Sequence, residues 1–158
     1  MNEENKKQIG FSGLKDWLRH RHPMILIDRV IDYNPGDFLI SISSISGSLD
    51  CINGHFPMRA VYPGSNMIQA FAQSGIILFQ LSTEKLKNDE MTLIGSVQTR
   101  FFGMVVPGDQ IHYHLKVERL MGDTLFFSCN ATVNKKRVAA FKGNLIKVKL
   151  STLNTELC

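Results

Sequence analysis

The longest apolar stretch of the chain covers residues 66–82, which include no charged side chain. Its apolar residues recur at helical spacing and also occupy the other faces, so the pattern predicts a helix that is buried nearly all round. The helix is expected to open after Pro63-Gly64. Its glutamines, the internal Gly75 and the charged run from Glu84 leave too short an apolar segment for a membrane span. We therefore expect a central core helix.

Alternation of apolar and polar positions predicts strands on both sides of this helix. Before it, an Asn-Pro-Gly-Asp turn separates residues 24–31 from residues 38–43, which indicates a hairpin. A short helix from Gly13 to about Leu18, capped by Ser12, is predicted ahead of the hairpin. After the long helix, extended segments and turn residues predict a four-stranded meander. Its first strand covers the extended segments 91–97 and 98–104, and the other three strands cover 111–120, 124–133 and 138–148.

The predicted helices and strands are segregated along the chain and do not alternate regularly. That order is typical of the α+β class, here an antiparallel sheet wrapped around a long central helix. The chain has 158 residues, of which 44% are hydrophobic, enough for one domain with its own core. We expect a flexible N-terminus over residues 1–10, a single domain over 11–150 and a C-terminal tail over 151–158.

Cysteine usage and the N-terminal residues bear on the compartment. The chain has three cysteines and no Cys-x-x-Cys spacing, which favours reduced thiols over a disulfide framework or a zinc site. The first residues are polar and lack the apolar stretch of a secretion signal. These features predict a cytoplasmic protein.

The net charge of +4 is concentrated in three basic segments, at 19–21, 135–137 and 142–149. Such segments attract acidic partners, but no aromatic residues are interleaved with them as in nucleic-acid-binding surfaces. We expect no nucleic-acid and no membrane partner. Two histidine pairs, His20 with His22 and His112 with His114, have the spacing of metal ligands, but no thiol or carboxylate stands at ligand spacing beside them. No metal site is predicted.

The candidate chemistry centres on His55, in the tetrapeptide Gly54-His55-Phe56-Pro57. Gln69 follows 14 residues later, one turn into the long helix. A histidine facing a proton donor on a helix is the outline of an acid/base site, although an amide cannot ionise. Taken alone, His55 is typical of a packed turn residue and Gln69 of a helix glutamine that bonds a backbone group.

Six segments, in order, resemble the 3-hydroxyacyl-[acyl-carrier-protein] dehydratases of the hot-dog fold. The resemblance extends from about Leu14 to Val148. Each motif is weak alone, but six in register indicate the fold strongly. The segments are Leu18-Arg19-His20-Arg21-His22-Pro23, Leu26-Ile27-Asp28-Arg29-Val30, Asn53-Gly54-His55-Phe56-Pro57, Pro63-Gly64, Gln69-Ala70-Phe71-Ala72-Gln73, and Arg100-Phe101 through Val105-Val106-Pro107-Gly108-Asp109.

The resemblance implies a homodimer, often assembled into a trimer of dimers, with active sites at the dimer interface. It implies a substrate carried on the phosphopantetheine arm of an acyl carrier protein, and no other cofactor. His55 would remove the α-proton of a 3-hydroxyacyl thioester, and an Asp or Glu on the helix of the other protomer would protonate the departing hydroxyl. The N–H of Gly64 would hold the thioester carbonyl at a helix N-terminus. Phe56, Pro63, Asn66 and Gln73 would complete the substrate site, with Gln73 as a supporting hydrogen-bonding group.

Gln69 departs from the family pattern because it occupies the position of the acid. General acid catalysis contributes typically ~10²–10⁴ in rate, and an amide has no proton to deliver. Two further departures lie nearby: Ala60 replaces the usual proline, and the polar Ser65-Asn66 replaces an aliphatic pair. The pocket is altered at several positions around the helix start.

Three functions remain open. In the first, the chain dehydrates or hydrates acyl thioesters with His55 as the base, and a water, Asn66 or the substrate geometry helps the hydroxyl leave. In the second, it is the acid-deficient subunit of a heteromer whose partner supplies the carboxylate. In the third, it is a module that binds or isomerises acyl thioesters without eliminating water. Hot-dog thioesterases commonly need a carboxylate near the helix start, which this helix lacks. That absence counts against hydrolysis.

Overall fold

The computed structural model describes residues 7–153. No helix within that range is long and apolar enough to cross a membrane. The elements in chain order are α1 (Phe11–Leu14), β1 (Arg29–Asn34), β2 (Phe38–Ser44), α2 (Asp50–His55), α3 (Gly64–Ser82), β3 (Glu90–Phe101), β4 (Gln110–Met121), β5 (Thr124–Val133), β6 (Lys136–Lys149) and a 3-10 turn (Leu150–Thr152).

A six-stranded antiparallel sheet packs around α3, in the strand order β1-β2-β4-β5-β6-β3. Residues 70–80 of the helix are all buried, which confirms the predicted core helix. On the sheet side, Phe71 stacks on Phe127 and Phe141 with ring centroids 4.4 and 5.2 Å apart. A Cβ at Gly75 would lie 2.3 Å from the Phe127 ring, so this glycine lets the helix approach β5. The α+β class and the wrapped helix are confirmed.

The predicted four-stranded meander is wrong in its first strand. The predicted segments 91–97 and 98–104 merge into one strand, β3 (Glu90–Phe101), which pairs with β6 and bulges between Ile94 and Ser96. The edge of β4 that β3 would have taken is occupied by β2, from Phe38 opposite Lys116 to Ser44 opposite Gln110. The strands β4, β5 and β6 form a meander, and β3 pairs with β6 as the outer strand on the far side of the sheet.

The early hairpin is confirmed, but its first strand starts at Arg29, five residues later than predicted at Met24. The backbone of Leu26 is held by side chains and does not join the ladder: its N–H donates to Gln73 Oε1 at 2.9 Å and its carbonyl accepts from Ser43 Oγ at 2.6 Å. Residues 25–28 therefore precede the regular strand. They are tethered to α3 and β2 by these side chains and by the Asp28 N–H, which donates to the Ile42 carbonyl at 2.8 Å.

The N-terminal part of the chain also differs from the prediction. The first helix is α1, over Phe11–Leu14, and its N-cap is Gly10 without a side-chain hydrogen bond, so Ser12 does not cap it. Turns continue to Leu18, which is buried together with Leu14. Ile9 lies within the segment predicted to be flexible, yet it exchanges backbone hydrogen bonds with Val30 at 3.0 Å. Residues 1–6 and 154–158 of the predicted termini lie outside the described residues.

Candidate active site

His55 is the last residue of α2, a short helix that the strand and helix patterns did not predict. Its Nδ1 lies 2.9 Å from the carbonyl oxygen of Val61. A carbonyl only accepts, so Nδ1 carries the proton and donates it, which leaves a lone pair on Nε2. The ring is half-buried and lies against Phe56, with centroids 4.0 Å apart. When the ring is neutral, this hydrogen bond selects the tautomer that a base requires.

The N-terminus of α3 is the next part of the site along the chain after His55. Pro63 is its buried N-cap, Gly64 is its first residue, and no side chain caps this end. The first N–H groups of a helix have no intrahelical acceptor and carry the positive end of the helix dipole. A Cβ at Gly64 would lie 2.7 Å from Cζ of Phe101, so only glycine lets that ring cover the helix start.

Asn66 lies in the first turn, half-buried, next to Tyr62. Burial raises the pKa of the Tyr62 phenol to about 12, with smaller contributions from Cys51 and Asp28. Tyr62 is also fixed through its backbone, which donates to Val105 at 2.8 Å. The phenol is therefore a neutral hydrogen-bonding group at physiological pH.

Gln69 is directed at His20, a contact that the sequence did not predict. The amide Nε2 of Gln69 donates to Nε2 of His20 at 3.0 Å. Burial lowers the pKa of His20. In the sequence, His20 belongs to the basic segment 19–21 and to a histidine pair with metal-ligand spacing, and neither pattern predicts this contact. The one signal that could have marked it is its place in the Leu18–Pro23 segment, which carries the family resemblance.

Gln73, one turn further along α3, is completely buried. Its amide donates to the Met24 carbonyl at 2.6 Å and accepts from the Leu26 N–H at 2.9 Å. Both ends are engaged with backbone, which favours a supporting role. Direct contact of Gln73 with substrate stays a prediction.

A cavity of about 430 Å³ lies between α3 and the start of β3. Its wall is mostly apolar, and its polar groups are Arg19, His20, Gln69 and Thr92. His55 does not line it, so within one chain the predicted base and the predicted acid position open on different surroundings. The apolar wall consists of Ala72, Ile76, Leu86, Met91, Leu93, Ile94 and Leu145.

Two solved structures with similar architecture define the class. A dehydratase heterocomplex, ApeI:P, from Xenorhabdus doucetiae matches with a TM-score of 0.73 at 12% identity, over 87% of this chain and 92% of that one. A hot-dog-like protein from Thermanaerovibrio acidaminovorans matches with a TM-score of 0.62 at 15% identity, over 79% and 90% of the two chains. At these identities the likeness shows the fold alone, and the fold is the hot dog.

Sequence similarity then shows the family. The model of the FabA-like domain matches residues 18–142. The coronafacic acid dehydratase of Pseudomonas savastanoi pv. glycinea is 49% identical over 152 residues, which cover 96% of this chain and 92% of that protein. The 3-hydroxyacyl-[acyl-carrier-protein] dehydratase FabZ of Rickettsia massiliae is 33% identical over 134 residues, 85% and 92% of the two chains. The chain belongs to the FabA-like family, as the motifs indicated.

Proposed function

We propose that this chain dehydrates 3-hydroxyacyl thioesters carried by acyl carrier protein, in fatty-acid or polyketide-type biosynthesis, with His55 as the base. The observation that supports this most is the hydrogen bond from His55 Nδ1 to Val61, because it leaves Nε2 free to accept a proton. The two relatives described above are both named dehydratases.

The elimination needs three groups. Nε2 of His55 takes the α-proton, the bond between C3 and the hydroxyl oxygen breaks, and the hydroxyl leaves as water with a proton from a second donor. Negative charge develops on the thioester oxygen, and the N–H groups at the start of α3, Gly64 first, are suited to hold it. Phe56 and Pro63 would fix the approach of the thioester between α2 and α3.

The cavity beside Gln69 would take the acyl chain, since its wall is mostly apolar and two of its few polar groups, His20 and Gln69, lie in contact. Two copies would be needed for one site, because His55 does not line this cavity. β3 is the outer strand of the sheet and exposes Leu93, Ile94, Val97 and Phe101. Pairing of two such edges would build a homodimer and bring His55 of one copy towards the cavity of the other. A trimer of dimers remains a prediction.

The test is mass spectrometry of carrier-bound 3-hydroxyacyl and enoyl thioesters incubated with wild type or with His55→Ala. The control is His112→Ala, which changes a histidine on β4. We expect interconversion of the two thioesters by wild type and His112→Ala. The base role predicts that His55→Ala loses at least about 10²-fold in rate. Equal activity of His55→Ala and wild type would refute it.

The second candidate is the acid-deficient subunit of a heteromer. It is favoured by the amide at position 69. The similar structure from Xenorhabdus doucetiae, which is named a dehydratase heterocomplex, supports it. The discriminating variant is Gln69→Glu, which supplies an ionisable group. A silent wild type rescued by Gln69→Glu, together with co-purification of a second hot-dog chain, would favour the heteromer. A wild type that holds the acyl thioester unchanged, even after Gln69→Glu, would favour the binding or isomerising module.

A further inference from the structure

The contact between His20 and Gln69 joins an ionisable ring to the position where the family carries its acid. Both side chains line the cavity proposed for the acyl chain, and their nitrogens are 3.0 Å apart. His20 belongs to the segment between α1 and β1, and Gln69 to the second turn of α3, so the pair bridges two separate parts of the fold.

The donor and acceptor roles in this contact follow from chemistry. An amide nitrogen only donates, so His20 Nε2 accepts with its lone pair, and the ring proton resides on Nδ1. Nδ1 is buried and has no hydrogen-bond partner within the described residues. One N–H of the Gln69 NH₂ group is engaged by His20, which leaves the second N–H and the carbonyl oxygen, the end of the amide that is not bonded to the ring.

A carbonyl oxygen is the wrong end for a departing hydroxyl, which needs a donor. A protonated imidazole reverses the arrangement, because it has two N–H donors and no lone pair to accept with. It can bind Gln69 only through the amide oxygen, and the amide must then turn its NH₂ group away from the ring. The NH₂ group, with both of its N–H donors free of the ring, would then be the end of the amide at the acid position.

We propose that His20 is the positioning residue of this site and that its protonation state decides which end of the Gln69 amide faces the substrate. This inference rests on the proposed dehydratase function for its catalytic meaning, but the orientation of the amide can be measured without turnover.

The surroundings of His20 leave the ring as the titrating group of the pair. α3 carries no ionisable side chain, and the walls from β3 and β6 are uncharged at the cavity. Arg19 is the one other ionisable residue of the lining, and its guanidinium donates to the backbone carbonyls of Lys87 and Glu90. Arg21 donates to the carbonyls of Leu18 and of His20 itself, and the Glu90 carboxylate accepts from the Lys87 N–H. Burial lowers the pKa of His20, so the ring gains its proton at a more acidic pH than an ordinary histidine does.

The experiment is an NMR titration of protein labelled with ¹⁵N in histidine rings and glutamine side chains. The Gln69 amide is assigned by the loss of its signal in Gln69→Glu. In wild type we expect the His20 ring and the Gln69 amide signals to shift with one shared midpoint. His20→Asn, which keeps a hydrogen-bonding group that does not titrate, should leave the Gln69 signal insensitive to pH, and His20→Phe should do the same. His22→Gln, in the same exposed segment, should behave as wild type.

The rate of elimination supplies the second readout. The kcat/KM profile should contain a component that rises as pH falls through the NMR midpoint, present in wild type and His22→Gln and absent in His20→Asn, with a loss of about tenfold at the acidic end. A Gln69 signal that stays constant while His20 titrates would overturn the proposal, and so would a shared midpoint with an unchanged rate profile in His20→Asn. If wild type does not eliminate water from the substrate at any pH, the dehydratase proposal fails. The NMR titration still decides whether His20 turns the Gln69 amide.

Discussion

At the scale of single residues, the chemistry depends on which atom of each polar side chain is already engaged. Val61 fixes the tautomer of His55, and His20 holds one end of the Gln69 amide. The family motifs located His55 and Gln69 in the sequence. They did not reveal the partner of Gln69, because that contact joins residues 49 positions apart and depends on the folded chain.

Gly64 gives the first prediction. Gly64→Ala places a methyl group 2.7 Å from the Phe101 ring, so the ring must move or the helix must shift. We expect a loss of about 1–3 kcal/mol in the free energy of unfolding, measured with urea. Addition of Phe101→Leu should recover part of it.

The control for this prediction is Gly54→Ala, since a Cβ at that position meets nothing within 4 Å. Its stability should stay within about 0.5 kcal/mol of wild type. Equal losses in the two alanine variants would contradict the steric explanation.

At the scale of elements, α3 organises the chain before β1 as well as the sheet. Gln73 holds the backbone of Met24 and Leu26, and Gln80 donates to the Trp17 carbonyl at 2.6 Å. The sequence predicted the helix well because its uncharged run and spacing are local features. It placed the start of β1 too early, because the apolar run at 24–27 has the same pattern whether its backbone groups pair with a strand or with side chains.

Gln73→Leu tests this tether. Leucine fills similar space but leaves the Leu26 N–H and the Met24 carbonyl without partners, and each unsatisfied group costs about 1–3 kcal/mol. We expect a lower unfolding midpoint in urea and faster amide hydrogen exchange in residues 24–28. Gln8→Leu, at an exposed residue ahead of α1, is the matched control and should change neither quantity. Unchanged exchange in Gln73→Leu would show that the tether does not hold this segment.

At the scale of the whole molecule, the two outer strands of the sheet differ in how far their edges are covered. β1 is partly covered through Ile9, whereas β3 presents an exposed edge with apolar side chains. Local patterns do not determine the sheet order, since β3 pairs with β6, and β4 and β5 lie between these two strands in the chain. The alternation predicted that residues 91–104 are extended but could not identify their neighbour.

Val97→Lys tests the role of this edge. In a symmetric pair of β3 strands the new charge would occur twice at one interface, and like charges close together are unfavourable. We expect light scattering to show a shift from dimer towards monomer, with a matching loss of activity. Leu120→Lys, equally exposed near the end of β4, should leave the mass unchanged. A dimer that survives Val97→Lys with full activity would place the interface elsewhere.

The central claim is that His55 exchanges the α-proton of a carrier-bound thioester, and hydration of an enoyl thioester in heavy water tests it most directly. Wild type and His112→Ala are predicted to return a 3-hydroxyacyl product with one non-exchangeable deuterium at the α-carbon, and His55→Ala is predicted to return unreacted enoyl thioester. Deuterium incorporation by His55→Ala at the wild-type rate would show that His55 is not the base.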